Sequence, residues 1–242
     1  MELYQIVLSV IVILIVVYIV AGYLFPKTTK LSSMMEGNKQ QSIEASSLPS
    51  NTNSLNYTYS TWFYVEDWNY KYGEKKTILG RLDANKNPSP SIELGAMDND
   101  VTVSISCYPK QMSGAAGAGN DVKPIIHKCK VQNVPLQRWV NLIISLYGRT
   151  LDVYIDGKLV RTCLLPGVAK IAQASPVLIT PNGGFSGWTS NFQYWANSSN
   201  PQQAYDIYKS GYGGSSLGDF FNKYRIKFAF MEDNTEKASI EI

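Results

Sequence analysis

The sequence predicts an all-β protein: a two-sheet antiparallel β-sandwich with one short helix, preceded by a single transmembrane α-helix. Three observations carry this reading. Residues 6–25 hold no charged side chain. From residue 55 onward, short runs of alternating apolar and polar residues recur between turn signals. Only one later stretch has the marks of a soluble helix.

The first segment reads "IVLSVIVILIVVYIVAGYLF". As a helix it spans about 30 Å, the thickness of a bilayer's hydrocarbon core. A strand in lipid would leave its backbone unpaired, so helix is the stable form even for Val and Ile. Ile6, Val10, Ile13, Val17, Val20 and Leu24 are among the anchoring side chains, and Pro26 ends the segment. A cleaved signal peptide would open with basic residues and carry a shorter apolar core, whereas Glu2 is the only charged side chain before this one. Lys27, Lys30 and Lys39 follow the span, so the positive-inside rule places the large C-terminal part on the cytosolic side.

Residues 1–26 are therefore read as anchor and residues 27–54 as a polar tether. The tether is rich in Ser, Asn and Gln and lacks periodicity. Residues 55–230 form the sandwich, and residues 231–242 a C-terminal tail. Within the sandwich, "YTYSTWFYVED" and "KTILGRL" read as strands. "SIELGAM" and "VTVSISCY" flank a turn at Asp98-Asn99-Asp100. "PKQMSGAAGAGND" is a long small-residue loop and "IIHKCKV" a short strand beyond it. In "WVNLIISLYGRTLDVYIDGKLVRT", Val140, Leu142, Ile144 and Leu146 share one face, and Asp156-Gly157 suits a two-residue hairpin. "SPVLITP" and "GFSGWTSNFQYWA" add two strands. "NPQQAYDIYKSG" is the helix, with Asn200 to cap it, Pro201 in its first turn and Gly211 to close it. "YRIKFAF" alternates as a last strand.

Composition narrows the function. The net charge of +3 is small and dispersed, and no Lys/Arg run interleaves with aromatics, so nucleic acid is set aside. Cys107, Cys129 and Cys163 are an odd count, which is no disulfide framework. They read as small buried hydrophobes, with a Cys107–Cys129 pair as the alternative that spacing alone does not decide. The unpatterned count leans toward a reducing compartment. His127 is the sole histidine, which argues against a histidine-based zinc site or a nucleophilic triad.

The order of "STWFYVEDWN", the Trp-led middle stretch with its "YIDG" turn, and "GGFSGWTSNFQYWANSSNPQQAYDIYKSG" resembles the laminin-G-like, concanavalin A-like jelly-roll family over roughly residues 55 to 215. Some laminin-G-like domains hold calcium at the sandwich rim. The resemblance makes Asp98 and Asp100, with Asn99, the candidate ligands, since they offer hard oxygens; a plain capped turn is the alternative. The N-terminal span, the Asn-rich chain and the "YRIKFAF" ending also resemble, in overall style, membrane proteins of large icosahedral DNA viruses. That resemblance implies a virion protein lying between an internal membrane and a capsid.

Enzymes on this fold carry acidic residues two apart on one strand, so that acid and nucleophile flank one bond. No "ExDxxE" occurs, and "GFSGW" and "GAAGAG" lack the spacing of a nucleophile elbow or a phosphate loop. No catalytic residue is assigned. Trp68, Tyr70 and Tyr72 alternate in "WNYKYGEKK" and are the candidate aromatic contacts for a sugar or a protein partner. The function expected is a non-enzymatic, membrane-anchored structural or binding protein. Its partners are the lipid bilayer and a capsid or other shell protein, and the alternative is a lectin-like module that binds glycan.

Overall fold

The computed structural model describes residues 31–49, 55–109 and 123–213, together with the backbone of two strands near the C-terminus. The expected anchor and the loop at 110–122 lie outside the described residues. Among the described residues, no helix is long and apolar enough to cross a membrane.

In chain order the strands are β1 (Met35–Glu36), β2 (Gln41–Ile43), β3 (Tyr57–Asp67), β4 (Lys76–Leu82), β5 (Pro88–Leu94), β6 (Val101–Cys107) and β7 (Ile125–Val131). They continue with β8 (Trp139–Tyr147), β9 (Thr150–Ile155), β10 (Lys158–Leu164), β11 (Val177–Ile179) and β12 (Ser186–Trp195). Helix α1 (Pro201–Lys209) follows, and then β13 (Lys227–Glu232) and β14 (Thr235–Glu241). Two six-stranded antiparallel sheets result. One runs β1-β12-β3-β8-β9-β10, the other β2-β11-β4-β5-β6-β7. The unit spanning residues 30–214 is thus the expected sandwich.

Alternation decides which side chains fill the space between the sheets. Phe63 and Val65 of β3 and Val140, Leu142, Ile144 and Leu146 of β8 meet Ile78, Ile92, Val103 and Ile105 of the other sheet, all buried. Among these apolar groups sits Arg81. It donates to the carbonyls of Ser175 (3.0 Å) and Gln173 (2.8 Å) and to the Tyr59 hydroxyl (3.2 Å). Burial pushes the Tyr59 phenol up to about 12 although Arg81 pulls the other way. The opposite face of β8 is covered too. Ile143, with Tyr154 of β9, packs under Ala204 and Ile207 of α1. Asn200 caps this helix in a reciprocal capping box with Gln203.

Three expectations are corrected. Part of the supposed tether belongs to the sandwich: β1 pairs with β12 and β2 with β11, and Ile43 and Leu48 are buried. Strands of two and three residues are too short to show alternation. The "YRIKFAF" strand does not join either sheet. It pairs with β14, from the supposed tail, in a separate two-stranded hairpin. Finally, the cysteine pair is Cys129–Cys163, with Cys107 free and buried. It ties β7, at the edge of one sheet, to β10, at the edge of the other. The fold makes that pair adjacent across 34 residues of sequence.

Candidate functional site

The aromatic stretch singled out in the sequence serves mostly as internal bracing. Trp68 packs on the core, and its indole N–H donates to the Met97 carbonyl at 3.0 Å. The Lys76 ammonium lies 4.4 Å from the Trp68 ring centroid and has no hydrogen-bond partner. Desolvation lowers the Lys76 pKa, against the upward pull of Glu74. Tyr70 donates to the Gly183 carbonyl at 3.1 Å, and Lys71 donates to the Asn182 carbonyl. Of the three aromatics only Tyr72 is widely exposed. Trp68 and Tyr70 are half-buried.

The acidic turn is also a brace. Asp100 is buried and paired with Lys130 of β7. Asn99 donates its side-chain amide to the Val134 carbonyl at 3.1 Å and accepts the Val134 N–H at 2.8 Å. Among the described residues, no group of three or more His, Cys, Asp or Glu side chains converges. Among the described residues, Asp98 and Asp100 have no third carboxylate converging on them.

Sheet register assembles a different aromatic surface. Trp188 of β12 stands opposite Tyr64 of β3, and Tyr64 stands opposite Trp139 of β8. Directly opposed residues share a face, so these rings form one row across three strands. Trp62, two residues before Tyr64, marks which face this is. Its ring stacks on Tyr208 of α1, with centroids 5.6 Å apart. The row therefore lies on the outer face of the sheet, beside the helix.

Helix α1 covers the neighbouring rungs and then stops. Gly211 has φ of +76°, and Tyr212 beyond it lies flat on Trp139, with centroids 4.6 Å apart and planes 12° apart. Ser190 donates to the Tyr212 carbonyl at 2.6 Å and Asn191 to the Gly211 carbonyl at 2.7 Å, which fixes the chain after the helix to β12. Trp188 and Tyr212 are each 39% exposed, far more than aromatics that merely fill a core. Tyr64 and Trp139 are half-buried between them. Trp139 is the centre of this surface.

The charges flanking the row are already paired. At one end Glu36 stands opposite Trp188 and accepts from Lys39 at 3.0 Å. At the other, Arg138 pairs with Asp156 at 2.6 Å, and Asp156 also accepts the Asn141 N–H at 2.9 Å. At the covered end, the Trp62 indole nitrogen and the Asn141 side-chain oxygen are buried without a hydrogen-bond partner. The arrangement offers flat apolar ring faces with polar groups at the margins, which suits stacking on a ligand ring better than bond cleavage. Sequence reading missed it because the three rings sit in three separate segments and only pairing register aligns them.

Residues 36–203 match the family model described as the concanavalin A-like lectin/glucanases superfamily, of laminin-G type. The chain belongs to this superfamily. No curated protein matches this concanavalin A-like chain. Among solved structures it is similar to a point mutant of HCR/D, at 12% identity and a TM-score of 0.50, covering 74% of this chain and 46% of that one. It is also similar to the botulinum neurotoxin serotype G binding domain, at 13% identity and a TM-score of 0.49, with the same coverage. A third is the binding domain of botulinum neurotoxin DC in complex with SialylT, at 15% identity and a TM-score of 0.47, covering 64% of this chain and 35% of that one. The chain thus spans less than half of each of these structures, and likeness at such identity concerns the fold alone.

Proposed function

We propose that this chain is a non-enzymatic, membrane-anchored carbohydrate-binding module. The observation that carries the reading is the row of Trp188, Tyr64 and Trp139, exposed at Trp188 and half-buried at the other two, with Tyr212 stacked beside it. Aromatic faces take up the apolar faces of sugar rings, and half-buried rings bind at little entropic cost because their rotamers are already fixed. Superfamily membership supports the choice of ligand class. The apolar run at residues 6–25 supplies the anchor. The Cys129–Cys163 bridge favours display on an oxidising, lumenal or external side. Three lysines after the span favour the opposite side, but they are a smaller bias than a covalent bond that reducing compartments remove.

A second reading keeps the anchor and gives the domain a protein partner, such as the shell of a virion built around an internal membrane. It is favoured by the exposed Leu159, Val160 and Leu164 on edge strand β10. Binding of the full-length chain to a glycan array separates the two. The carbohydrate reading expects selective signals that Trp139→Ala and Trp188→Ala abolish. A blank array, together with a shell protein crosslinked through β10 in native membranes, would replace it with the second reading.

A further inference from the structure

The edges of the two sheets flank an open cleft of about 410 Å³ between β7 and β10. Its apolar walls include Ile155 and Val160, and its polar lining includes Lys130, Arg161, Gln132 and Asn133. β7 and β10 contribute Lys128, Lys130, Lys158 and Arg161, and neither strand contains an acidic residue. Lys130 is held by Asp100. The Arg161 guanidinium has no hydrogen-bond or ion-pair partner among the described residues. The side-chain amides of Gln132 and Asn133 are likewise unpartnered among those residues.

We propose that this cleft is a second binding site, and that it takes the anionic group of an acidic saccharide. The inference rests on the carbohydrate reading for the ligand's body and on the cleft's own charge for its acid group. A guanidinium offers a planar fork of donors that matches a carboxylate or sulfate, and that of Arg161 stands exposed to an incoming ligand. The amides supply neutral donors and acceptors for hydroxyls, and Ile155 and Val160 give an apolar floor. The volume fits a compact ring better than an extended chain. An acidic peptide is the less suitable occupant. Strand addition needs a regular open ladder, and the register of β10 shifts between Leu159 and Arg161, beside the cleft.

The test is calorimetric titration of the full-length chain in detergent with a glucuronate-bearing tetrasaccharide, its neutral glucose counterpart and a hexaglutamate peptide. The expected result is tighter binding of the acidic saccharide than of the neutral one. Arg161→Ala should weaken the acidic saccharide by about tenfold to a hundredfold. Arg161→Lys should restore part of the loss, and added salt should reduce the advantage. Trp139→Ala should remove binding of the neutral saccharide while leaving the Arg161-dependent preference for acid in place. Loss of neutral binding alone would therefore count against the aromatic row and not against the cleft. Equal affinity for both saccharides, indifference to Arg161→Ala, or a preference for hexaglutamate would each overturn the cleft proposal.

Discussion

Trp139 and Tyr212 lie face to face, 4.6 Å apart at their centroids. This contact joins the first residue of β8 to the chain just past α1, so the aromatic surface depends on where the helix ends. Tyr212 also meets Trp62 edge-on at 5.7 Å. Removing Tyr212 would free one face of Trp139 and loosen the segment that Ser190 and Asn191 hold by its carbonyls. Tyr212→Ala is expected to cost about 1 kcal/mol in stability and to weaken saccharide binding severalfold. Tyr212→Phe should preserve both. Thermal melts and array titrations of the two variants check this. Equal losses in both variants would show that the hydroxyl, and not the stacked ring, matters.

Asp83 gives the domain an acid-sensitive clamp. Burial is the largest single influence on its carboxyl and pushes the pKa up. The Lys170 ammonium at 2.9 Å, the Asn87 side chain and the backbone N–H groups of Asn87 and Asn85 together outweigh it, and the pKa falls to about 2. A carboxyl depressed in the folded state stabilises it above the unfolded value of 3.8, and that stability is lost as pH falls toward 2. The contribution is about 2 kcal/mol near neutrality. Asp83→Asn should therefore lower the melting temperature at pH 7, with the gap to the parent chain closing between pH 4 and about pH 2. A gap of constant size across that range would assign the loss to geometry instead of charge.

The sandwich was legible because its long strands alternate. Val140, Leu142, Ile144 and Leu146 all point inward as their spacing requires. The Asp156-Gly157 reversal was legible because both residues take positive φ, +50° and +72°, as a tight hairpin demands. Contacts between strands were not. Trp188, Tyr64 and Trp139 become neighbours only through register, and Cys129 meets Cys163 only because β7 and β10 end up on facing edges. The aromatics at 68–72 drew attention by spacing alone, yet Trp68 and Tyr70 spend their polar atoms on Met97 and Gly183. Linear spacing reports which face a side chain takes within one strand, and is silent about what the next strand brings beside it.

The Cys129–Cys163 bridge closes the side of the sandwich where both sheets have open edges. It should contribute about 3 kcal/mol by constraining the unfolded chain. Cys163→Ser, or reductant, is expected to lower stability by that amount, while Cys107→Ser has a smaller effect. Cys107 is buried, and desolvation raises its thiol pKa despite the Gly167 N–H and Arg149. Alkylation of the native chain should therefore label no cysteine. Unfolding without reductant should expose Cys107 alone, and unfolding after reduction all three cysteines. Three labels without reductant would remove the bridge, and with it the argument for an oxidising compartment.

Gly187 sets the position of Trp188. It has φ of +144°, and a Cβ placed there would lie 1.9 Å from the Tyr64 carbonyl oxygen. The neighbouring strand backbone cannot yield by rotating a side chain, so the clash has to move β12 against β3. The register already shifts at this point, between Ser186 and Gly187. Gly187→Ala is expected to destabilise by about 3 kcal/mol or more and to displace Trp188 from the row. Gly148, also at positive φ (+58°), has nothing within 4 Å of its would-be Cβ. Gly148→Ala should therefore cost only about 1 kcal/mol of backbone strain. Comparing the two melts isolates the steric part. Binding measured on whatever Gly187→Ala protein remains folded then tests Trp188's place in the row, because intact affinity there would show that the ligand does not use it.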